Sequence, residues 1–541
     1  MTAFGIDLGT TNSCIACVDE SGRPVVLPNA IGELTTPSVV YFDQREKVWI
    51  GRAAKDAALL APDLAVQLVK RQMGLEGVGF TFHGTTYTPE SISALVLKEL
   101  TSAAQRHLGE PVRDVVITVP ASFGVAERTA TLLAGEIAGL NVLDILDEPN
   151  AAALSYRERA PVQGPRHLLV YDLGGGTFDT TVVRVDGDHV EVICTGGEPD
   201  LGGADWDARV RDFLLDTFTR QHPRLDPTAD PHFMKELSIR AEQLKEELST
   251  MTSRHRSLAF GGAVVPVELN RRQLEELTAD LLDRTLARTE KTIAEARRKG
   301  VPDVDEVILV GGMTRMSAIM ERLGKLVGKA PRRHEPDLAV ARGAAMFALL
   351  KQMEQGAGQG RASRPAVRLA ARMGLGEKQA EKLGSQRATA VLPRGFGTKV
   401  LDINDPLATT NPALARAYVV HLIPAGTALP ADTGPVTFHT AIDNQPGIEV
   451  EVWEQASEES SEELADNKLI GRGKLRDLPP KLPKHTPVEI TFFLSETGLL
   501  TVNAVEPASG RQVRFDLQIG GLDRSAVDLA RTFVARHDTS S

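Results

Sequence analysis

Phe4-Gly5-Ile6-Asp7-Leu8-Gly9-Thr10-Thr11-Asn12 decides the fold, because it recurs as Val170-Tyr171-Asp172-Leu173-Gly174-Gly175-Gly176-Thr177-Phe178-Asp179. In each copy an apolar run enters Asp-Leu-Gly, turns through a Gly/Thr tip and returns as a second apolar run, which is the pattern of a β-hairpin. In the first copy Ala3 to Ile6 reads as a strand, Gly9 to Ser13 as the turn and Cys14 to Val18 as the return. In the second, Leu168-Leu169 leads in and Val182-Val183 returns. A repeat so widely spaced predicts two related lobes rather than a solenoid.

The tips suit phosphate. At Gly9-Thr10-Thr11-Asn12 and Gly174-Gly175-Gly176-Thr177 the backbone N–H groups can approach phosphate oxygens with no Cβ in the way, and the threonine hydroxyls add donors. Asp7 and Asp172, each at a strand end, can hold the hydrated Mg²⁺ that bridges those phosphates. Two such hairpins predict a two-lobed ATP-binding and ATP-hydrolysing domain over residues 1–350. A third glycine site, Gly311-Gly312-Met313-Thr314-Arg315, follows the strand pattern Val307-Ile308-Leu309-Val310 and precedes a helical stretch from Ser317. Its glycines admit a flat or sugar-like group, and Arg315 can stack on a base. There is no Gly-x4-Gly-Lys-Ser/Thr loop, and Gly356-Ala357-Gly358-Gln359-Gly360 precedes no helix, so it reads as linker.

The whole chain bounds these readings. Its 541 residues leave room for about three or four units. With 42% apolar and 25% charged residues it has the composition of a folded globular protein. A net charge of −11 disfavours nucleic acid and anionic membranes, which attract positive fields. The start, Met1-Thr2-Ala3-Phe4, has no basic region, and no run approaches the roughly 18 apolar residues of a membrane span, so a cytoplasmic location is expected. Cys14 and Cys17 lie three apart on a strand, hence on opposite faces, and Cys194 is alone. No metal pair or disulfide framework is expected.

The order of motifs resembles the heat-shock-protein-70 family of chaperones, DnaK type, within the actin-like ATPase superfamily. The likeness spans residues 3–350 and is carried, beyond the hairpins, by Val116-Ile117-Thr118-Val119-Pro120-Ala121-Ser122-Phe123, Asp147-Glu148-Pro149-Asn150-Ala151-Ala152-Ala153, Leu201-Gly202-Gly203-Ala204-Asp205-Trp206-Asp207 and Gly311-Gly312-Met313-Thr314-Arg315. It implies an α/β, actin-like two-lobed ATPase domain followed by an all-β sandwich domain and one short C-terminal helix. It implies that Lys70 lies beside the γ-phosphate and the attacking water, that Glu148 sits across the cleft, and that Thr177 and Asp179 lie near the γ-phosphate. Asp7 and Asp172 would surround Mg²⁺. Phosphoryl transfer to water needs positioning and charge neutralisation more than covalent catalysis, and this set supplies both. Glu242, Lys245 and Ser249 share one helical face at i, i+3 and i+7. By resemblance they contact the adenosine of ATP or ADP, alongside Gly202, Gly203, Gly311, Gly312, Arg315 and Asp337.

Past residue 350 the composition shifts. Residues 351–390 form a basic Gly/Ala/Arg-rich linker, disordered or with a short helix around Ala366 to Met373. From 391 to 520 short alternating strands, as at Val436-Thr437-Phe438, Ile448-Glu449-Val450-Glu451-Val452, Val488-Glu489-Ile490-Thr491-Phe492 and Leu500-Thr501-Val502-Asn503-Ala504-Val505, predict a β-sandwich. Through Asp443-Asn444-Gln445, Ala465-Asp466-Asn467-Lys468-Leu469-Ile470-Gly471 and Gly498-Leu499-Leu500-Thr501 it resembles, more loosely, the family's peptide-binding domain. Phe438, Ile448 and Val450 match its apolar groove, where an extended peptide adds backbone bonds, or are plain sandwich core.

The departures bear on coupling. The acidic-flanked leucine linker of the family is not reproduced, although its relay proline and arginine have counterparts in Pro120 and Arg128. Where the family places Arg, Asn and Thr for J-domain co-chaperones, this chain has Asp144, Asp147 and Asn150, a charge change that redirects partner choice. The stretch Glu454 to Asp466 carries a run of acids in a loop that is often basic in relatives. Residues 521–541 suffice for one helix from Leu522 to Arg536 rather than a helical lid bundle, so fast peptide exchange is expected. The reading is a chaperone that hydrolyses ATP and binds unfolded or extended polypeptide, with altered contacts to J-domain and nucleotide-exchange partners. The alternative is a nucleotide-dependent scaffold or regulator that binds one dedicated partner through the β domain. A sugar or acid kinase is disfavoured, because no carbohydrate-binding insertion replaces that domain.

Overall fold

The computed structural model describes residues 3–540 apart from 44–46, 76, 160–163, 187–188, 334, 357–363, 374–375, 377, 379–391, 393, 403, 412–413, 457–459, 477, 496–498, 519–521, 523 and 538. Most of the expected linker after Gly356, and Gly498, therefore lie outside the described residues.

Two sheets repeat one topology. The first runs Asn141–Asp147, Asp114–Val119, Phe4–Asp7, Asn12–Val18, Pro24–Leu27, and the second runs Arg332–Arg333, Glu306–Val310, Arg166–Leu173, Phe178–Asp186, His189–Glu198. In both, three consecutive strands form antiparallel hairpins, and the remaining strands add in parallel beside the first of them. Asp7 pairs with Cys14 and Thr118, and Asp172 with Asp179 and Val310, so the two acids hold equivalent stations at their strand ends. The first hairpin returns at Asn12, two residues earlier than expected, because Asn12 and Ser13 pair with Pro37 and Thr36.

Strand alternation sorts the side chains between cores. Phe4, Ile6, Ile15 and Cys17 face one side of the first sheet, and Ala3, Cys14, Ala16 and Val18 face the other. The two cysteines thus point to opposite faces, and all three thiols are free and buried. In the second sheet Leu168, Val170, Val183 and Val185 join the same core as Ala3 and Cys14, while Leu169, Tyr171, Leu173 and Val182 face a third core. Helices Glu148–Arg159 and Ala339–Gly356 fill the shared core between the sheets. Their crossing needs small residues. A Cβ on Gly343 would stand 1.8 Å from the Ala151 carbonyl oxygen, and one on Gly5 would stand 2.0 Å from the Ala345 nitrogen.

Two antiparallel sheets make up the later β region. One is ordered Ala417–Ile423, Phe396–Leu401, Gly447–Gln455, Asn467–Arg476, and the other Ala431–Asp432, Pro487–Leu494, Leu499–Glu506, Arg511–Gln518, with Val436–His439 also on Pro487–Leu494. Val450, Val452, Phe492, Leu500 and Val502 bury their inward positions in one core, as the period-two pattern requires. Val125, at the start of helix Val125–Ile137 in the first lobe, belongs to that core and joins the sandwich to the lobe. The helix expected near Ala366 runs Arg364–Arg372, and the C-terminal one runs Arg524–Arg536. The first packs into the core shared between the two sheets, the second into the other core of the first lobe. No helix among the described residues is long and apolar enough to cross a membrane.

Candidate functional site

The two hairpin tips meet at the floor of a cleft between the lobes. A Cβ on Gly175 would lie 2.2 Å from Thr11, and one on Gly176 would lie 2.2 Å from Thr10, so only glycine permits this approach. The tips are braced from behind. Ser38 donates its hydroxyl to the Gly9 carbonyl at 2.7 Å, and the Gly9 N–H donates to Ser13 Oγ at 3.1 Å. On the other side Gly203 and Ala204 N–H groups donate to the Gly174 and Gly175 carbonyls at 3.0 and 2.8 Å. Arg71 ties the lobes together by donating to the Gly176 carbonyl at 2.8 Å and to Asp205 at 2.6 Å.

The cleft encloses about 430 Å³. That is the size of a small-ligand site. Its walls include Asp7, Gly9, Thr10, Thr11, Asn12, Lys70, Glu148, Asp172, Gly174, Gly175 and Thr177 at the tips. At the other end are Gly203, Glu242, Lys245, Ser249, Gly311, Gly312, Arg315 and Asp337. Three anticipated residues stand behind the wall. Gly176 and Gly202 pack on one another, since a Cβ on Gly202 would lie 2.5 Å from the Gly176 nitrogen. Asp179 accepts the Ser122 N–H at 2.9 Å.

At the centre Lys70 Nζ lies 2.7 Å from Glu148 Oε1, both side chains being buried. Lys70 sits in the short 3-10 turn Val69–Gln72, entered through Leu68 in the left-handed region (φ 58°). Glu148 opens helix Glu148–Arg159. Both belong to the first lobe, so Glu148 is beside Lys70 and not across the cleft from it: held apart, the two would be buried charges without compensation.

One ammonium faces three buried acids, Glu148, Asp172 and Asp179, and the half-buried Asp7. Burial first, then the Glu148 carboxylate, pushes Asp7 up to about 7, with Lys70 pulling the other way. Asp179 is likewise pushed up to about 7 by burial and Glu148, against the Ser122 hydrogen bond. Asp172 is held well above the usual carboxylate range by burial and by Glu148, Asp179 and Asp7. Such an excess of hard oxygen donors fits a divalent cation of the Mg²⁺ type, which keeps several waters and takes one or two carboxylates plus phosphate oxygens. Among the described residues no group of three or more His, Cys, Asp or Glu side chains is placed to hold a metal ion by itself.

The far end carries a different pattern. Lys245 is 2.7 Å from Asp207 and donates to the Gly203 carbonyl at 3.2 Å, which leaves it buried and paired. Burial pushes Asp207 up to about 6 against the pull of Lys245. Lys55 of the first lobe reaches Glu242 of the second at 2.6 Å and bridges the cleft mouth. Arg315 pairs with Asp337. Sequence reasoning missed Arg71, Asp207 and Lys55 as parts of the site. Arg71 adjoins Lys70 and Asp207 closes the quoted Leu201–Asp207 motif, but their roles depend on partners more than 30 positions away.

Elsewhere Val450 is buried in the sandwich core, while Phe438 and Ile448 are half-buried at its edge. Asp147 and Asn150, expected to face a partner, are buried, and Asp147 pairs with Arg128. Asp144 pairs with Lys351. The acidic replacements are therefore neutralised within the lobe rather than presented bare.

Comparison with known proteins accords with this arrangement. The Hsp70 protein family model matches residues 3–78, 74–357 and 390–529. The chaperone protein DnaK of Deinococcus deserti is 37% identical over 558 aligned residues, covering 97% of this chain and 81% of that protein. A match that runs through both lobes and the sandwich, with a relative this similar over nearly the whole length, means that the chain belongs to the Hsp70 family, DnaK type.

Proposed function

We propose that this Hsp70-family ATPase and chaperone hydrolyses ATP in the cleft between its lobes, with Lys70 and Glu148 at the reacting end. The observation that carries the reading is the juxtaposition of two closed Gly/Thr tips with the buried Lys70–Glu148 pair. In this reading the tip N–H groups and the hydroxyls of Thr10, Thr11 and Thr177 hold the phosphates. Lys70, fixed by Glu148, presents its ammonium to the terminal phosphate and orients the attacking water. Asp179, behind the tip, keeps the Ser122 loop in place. Asp7 and Asp172 would hold Mg²⁺, which when bound neutralises charge on the phosphate oxygens. The adenosine would lie among Glu242, Lys245, Ser249, Gly311, Gly312, Arg315 and Asp337, with Gly202 and Gly203 supporting it.

The ATPase unit so proposed is larger than residues 1–350, since helices Arg364–Arg372 and Arg524–Arg536 complete its cores. The sandwich is assigned to unfolded or extended polypeptide, with Phe438 and Ile448 at its apolar edge and Val450 as their support. The DnaK relative and the strand pattern both favour this over a dedicated-partner scaffold, and the likeness to DnaK is the ground for proposing a cytoplasmic location, a J-domain partner and a nucleotide-exchange partner. The test measures phosphate release from ATP with no acceptor added, and fluorescent-peptide affinity in ATP and in ADP. Hydrolysis together with a nucleotide-dependent peptide affinity is expected; no hydrolysis sinks the ATPase reading, and no peptide binding in either state sinks the assignment of the sandwich.

A further inference from the structure

Pro336 and Asp337 line the cleft beside Gly311, Gly312 and Arg315. The Gly311 N–H donates to the Pro336 carbonyl at 2.9 Å, the Cys14 thiol donates to the Asp337 carbonyl at 3.6 Å, and the Asp337 carboxylate pairs with Arg315. One dipeptide thus joins the glycine turn, the first hairpin and the arginine.

The residue before this dipeptide fixes its direction. Glu335 has φ 39°, in the left-handed region. A Cβ disfavours that region, and a following proline pushes its predecessor toward extended backbone. Glutamate also lacks the short polar side chain with which asparagine eases this conformation. From it the Glu335 carbonyl accepts the N–H groups of Leu338 and Ala339 at 2.8 and 3.0 Å, so that helix Ala339–Gly356 starts soon after Asp337. Leu68, which leads into Lys70, is left-handed as well (φ 58°). Two strained residues therefore flank the cleft, and strain of this kind persists only where the surroundings impose it.

At Glu335 an ion pair imposes it. Arg342, in the first turn of helix Ala339–Gly356, reaches back to place Nη1 2.5 Å from Glu335 Oε2, with side chains 20% and 27% exposed. Arg342 stands behind the cleft wall and acts through Glu335.

We propose that Arg342 is a positioning residue for the nucleotide: its pair with Glu335 holds that residue left-handed and so keeps Pro336 and Asp337 against Gly311 and Arg315. The inference rests on the reading of this end of the cleft as the adenosine end. Without the pair Glu335 relaxes toward extended backbone in the empty protein, and binding must first restore the loop.

The test measures ADP affinity of the full chain by calorimetry with Mg²⁺ present. Arg342→Ala and Glu335→Gln each remove the pair and keep a Cβ at the left-handed position, so each should weaken ADP by about tenfold, the ratio that a left-handed non-glycine residue implies. Glu335→Gly/Arg342→Ala removes the pair together with that Cβ and should return to within about threefold of wild type. A double variant as weak as Arg342→Ala means a plain structural role for the arginine and overturns the inference, as does wild-type affinity in Glu335→Gln. Should Arg342→Ala fail to fold, Glu335→Gly against Glu335→Gln decides the same point: the glycine variant should bind ADP more tightly by a similar factor, and equal affinities overturn the inference. Asp337→Ala tests the underlying reading separately. Weaker ADP binding is expected there, while an unchanged affinity removes the adenosine from this end of the cleft, and the inference with it, whatever Arg342 does.

Discussion

Lys70 Nζ and Glu148 Oε1 form a buried ion pair of 2.7 Å at the centre of the cleft. The pair is made within one lobe, so it exists before the lobes close on a nucleotide. In the proposed reaction its value would be preorganisation: the ammonium is held in advance where charge would develop on the terminal phosphate, beside groups that are mostly anionic. Removing the ammonium should cost about 10²-fold or more in the hydrolysis step. Single-turnover phosphate release of Lys70→Ala should fall by at least that factor, while ATP affinity, carried by the tips and the adenosine end, should stay within about tenfold. An unchanged turnover would remove Lys70 from the reaction.

The contact between the hairpin tips makes a second, steric prediction. Gly175→Ala puts a methyl group about where Thr11 Cγ2 and Oγ1 now stand, at 2.2 Å. Both sides of the contact are short, braced segments, so relief requires the tips to part. Nucleotide affinity, read by calorimetry, should drop by about tenfold or more with the circular dichroism unchanged. An affinity equal to wild type would mean that the tips need not close to hold phosphate.

The tips were legible in the sequence because glycine and an acid at a strand end have few other uses in that order, and because the pattern occurs twice. The alternation of Phe4, Ile6, Ile15 and Cys17 against Ala3, Cys14, Ala16 and Val18 was equally plain, and it placed Cys14 and Cys17 on opposite faces. The pairing of Glu148 with Lys70 was not, since it joins residues 78 positions apart and local pattern carries no partner identity. The same gap explains the C-terminal helix. Its apolar stripe at Val527, Ala530 and Val534 announces a buried face but not that the buried face belongs to the first lobe. Asp147 shows the opposite hazard: a charge that reads as a surface change is buried and matched by Arg128.

The excess of buried acid has a consequence for stability in the nucleotide-free, Mg²⁺-free protein. Asp7 and Asp179 are pushed up to about 7, whereas an aspartate in an unfolded chain ionises near 3.9. Between about pH 4 and pH 7 the unfolded chain therefore sheds protons that the folded chain keeps. Their contribution to stability is full below about pH 4 and is lost as the pH rises through about 7. Asp179→Asn keeps an oxygen for the Ser122 N–H but cannot ionise. Its urea midpoint should gain on that of wild type between about pH 4 and pH 7, and a difference that stays constant across that range would contradict the burial argument.

Burial also governs the thiols. It pushes Cys17 and Cys194 up to about 11 and holds Cys14 well above the ordinary thiol range, so hardly any thiolate is present at neutral pH. Iodoacetamide at pH 8 should leave all three cysteines unmodified in the native protein and alkylate all three in urea, as read by intact-mass spectrometry. Rapid modification of Cys14 in the native state would show that the cleft wall opens far more than its packing allows.

The bridge across the cleft mouth sets the last expectation. Lys55 and Glu242 meet at 2.6 Å from opposite lobes, with side chains about a quarter exposed. A pair that wet contributes about 0.2–1 kcal/mol. Because the two residues sit on different lobes, that energy opposes opening rather than folding. Losing it should speed escape of a bound nucleotide by no more than about fivefold, since 1.4 kcal/mol is needed for tenfold. Lys55→Ala should therefore release labelled ADP about two to five times faster in stopped flow, with the acceleration shrinking in high salt as the wild-type pair is itself screened. Glu242 also lines the cleft, so the lysine is the cleaner variant. An off-rate unaffected by the substitution at low salt would mean that opening at this edge does not limit release, and that the barrier lies with the tips and the adenosine end.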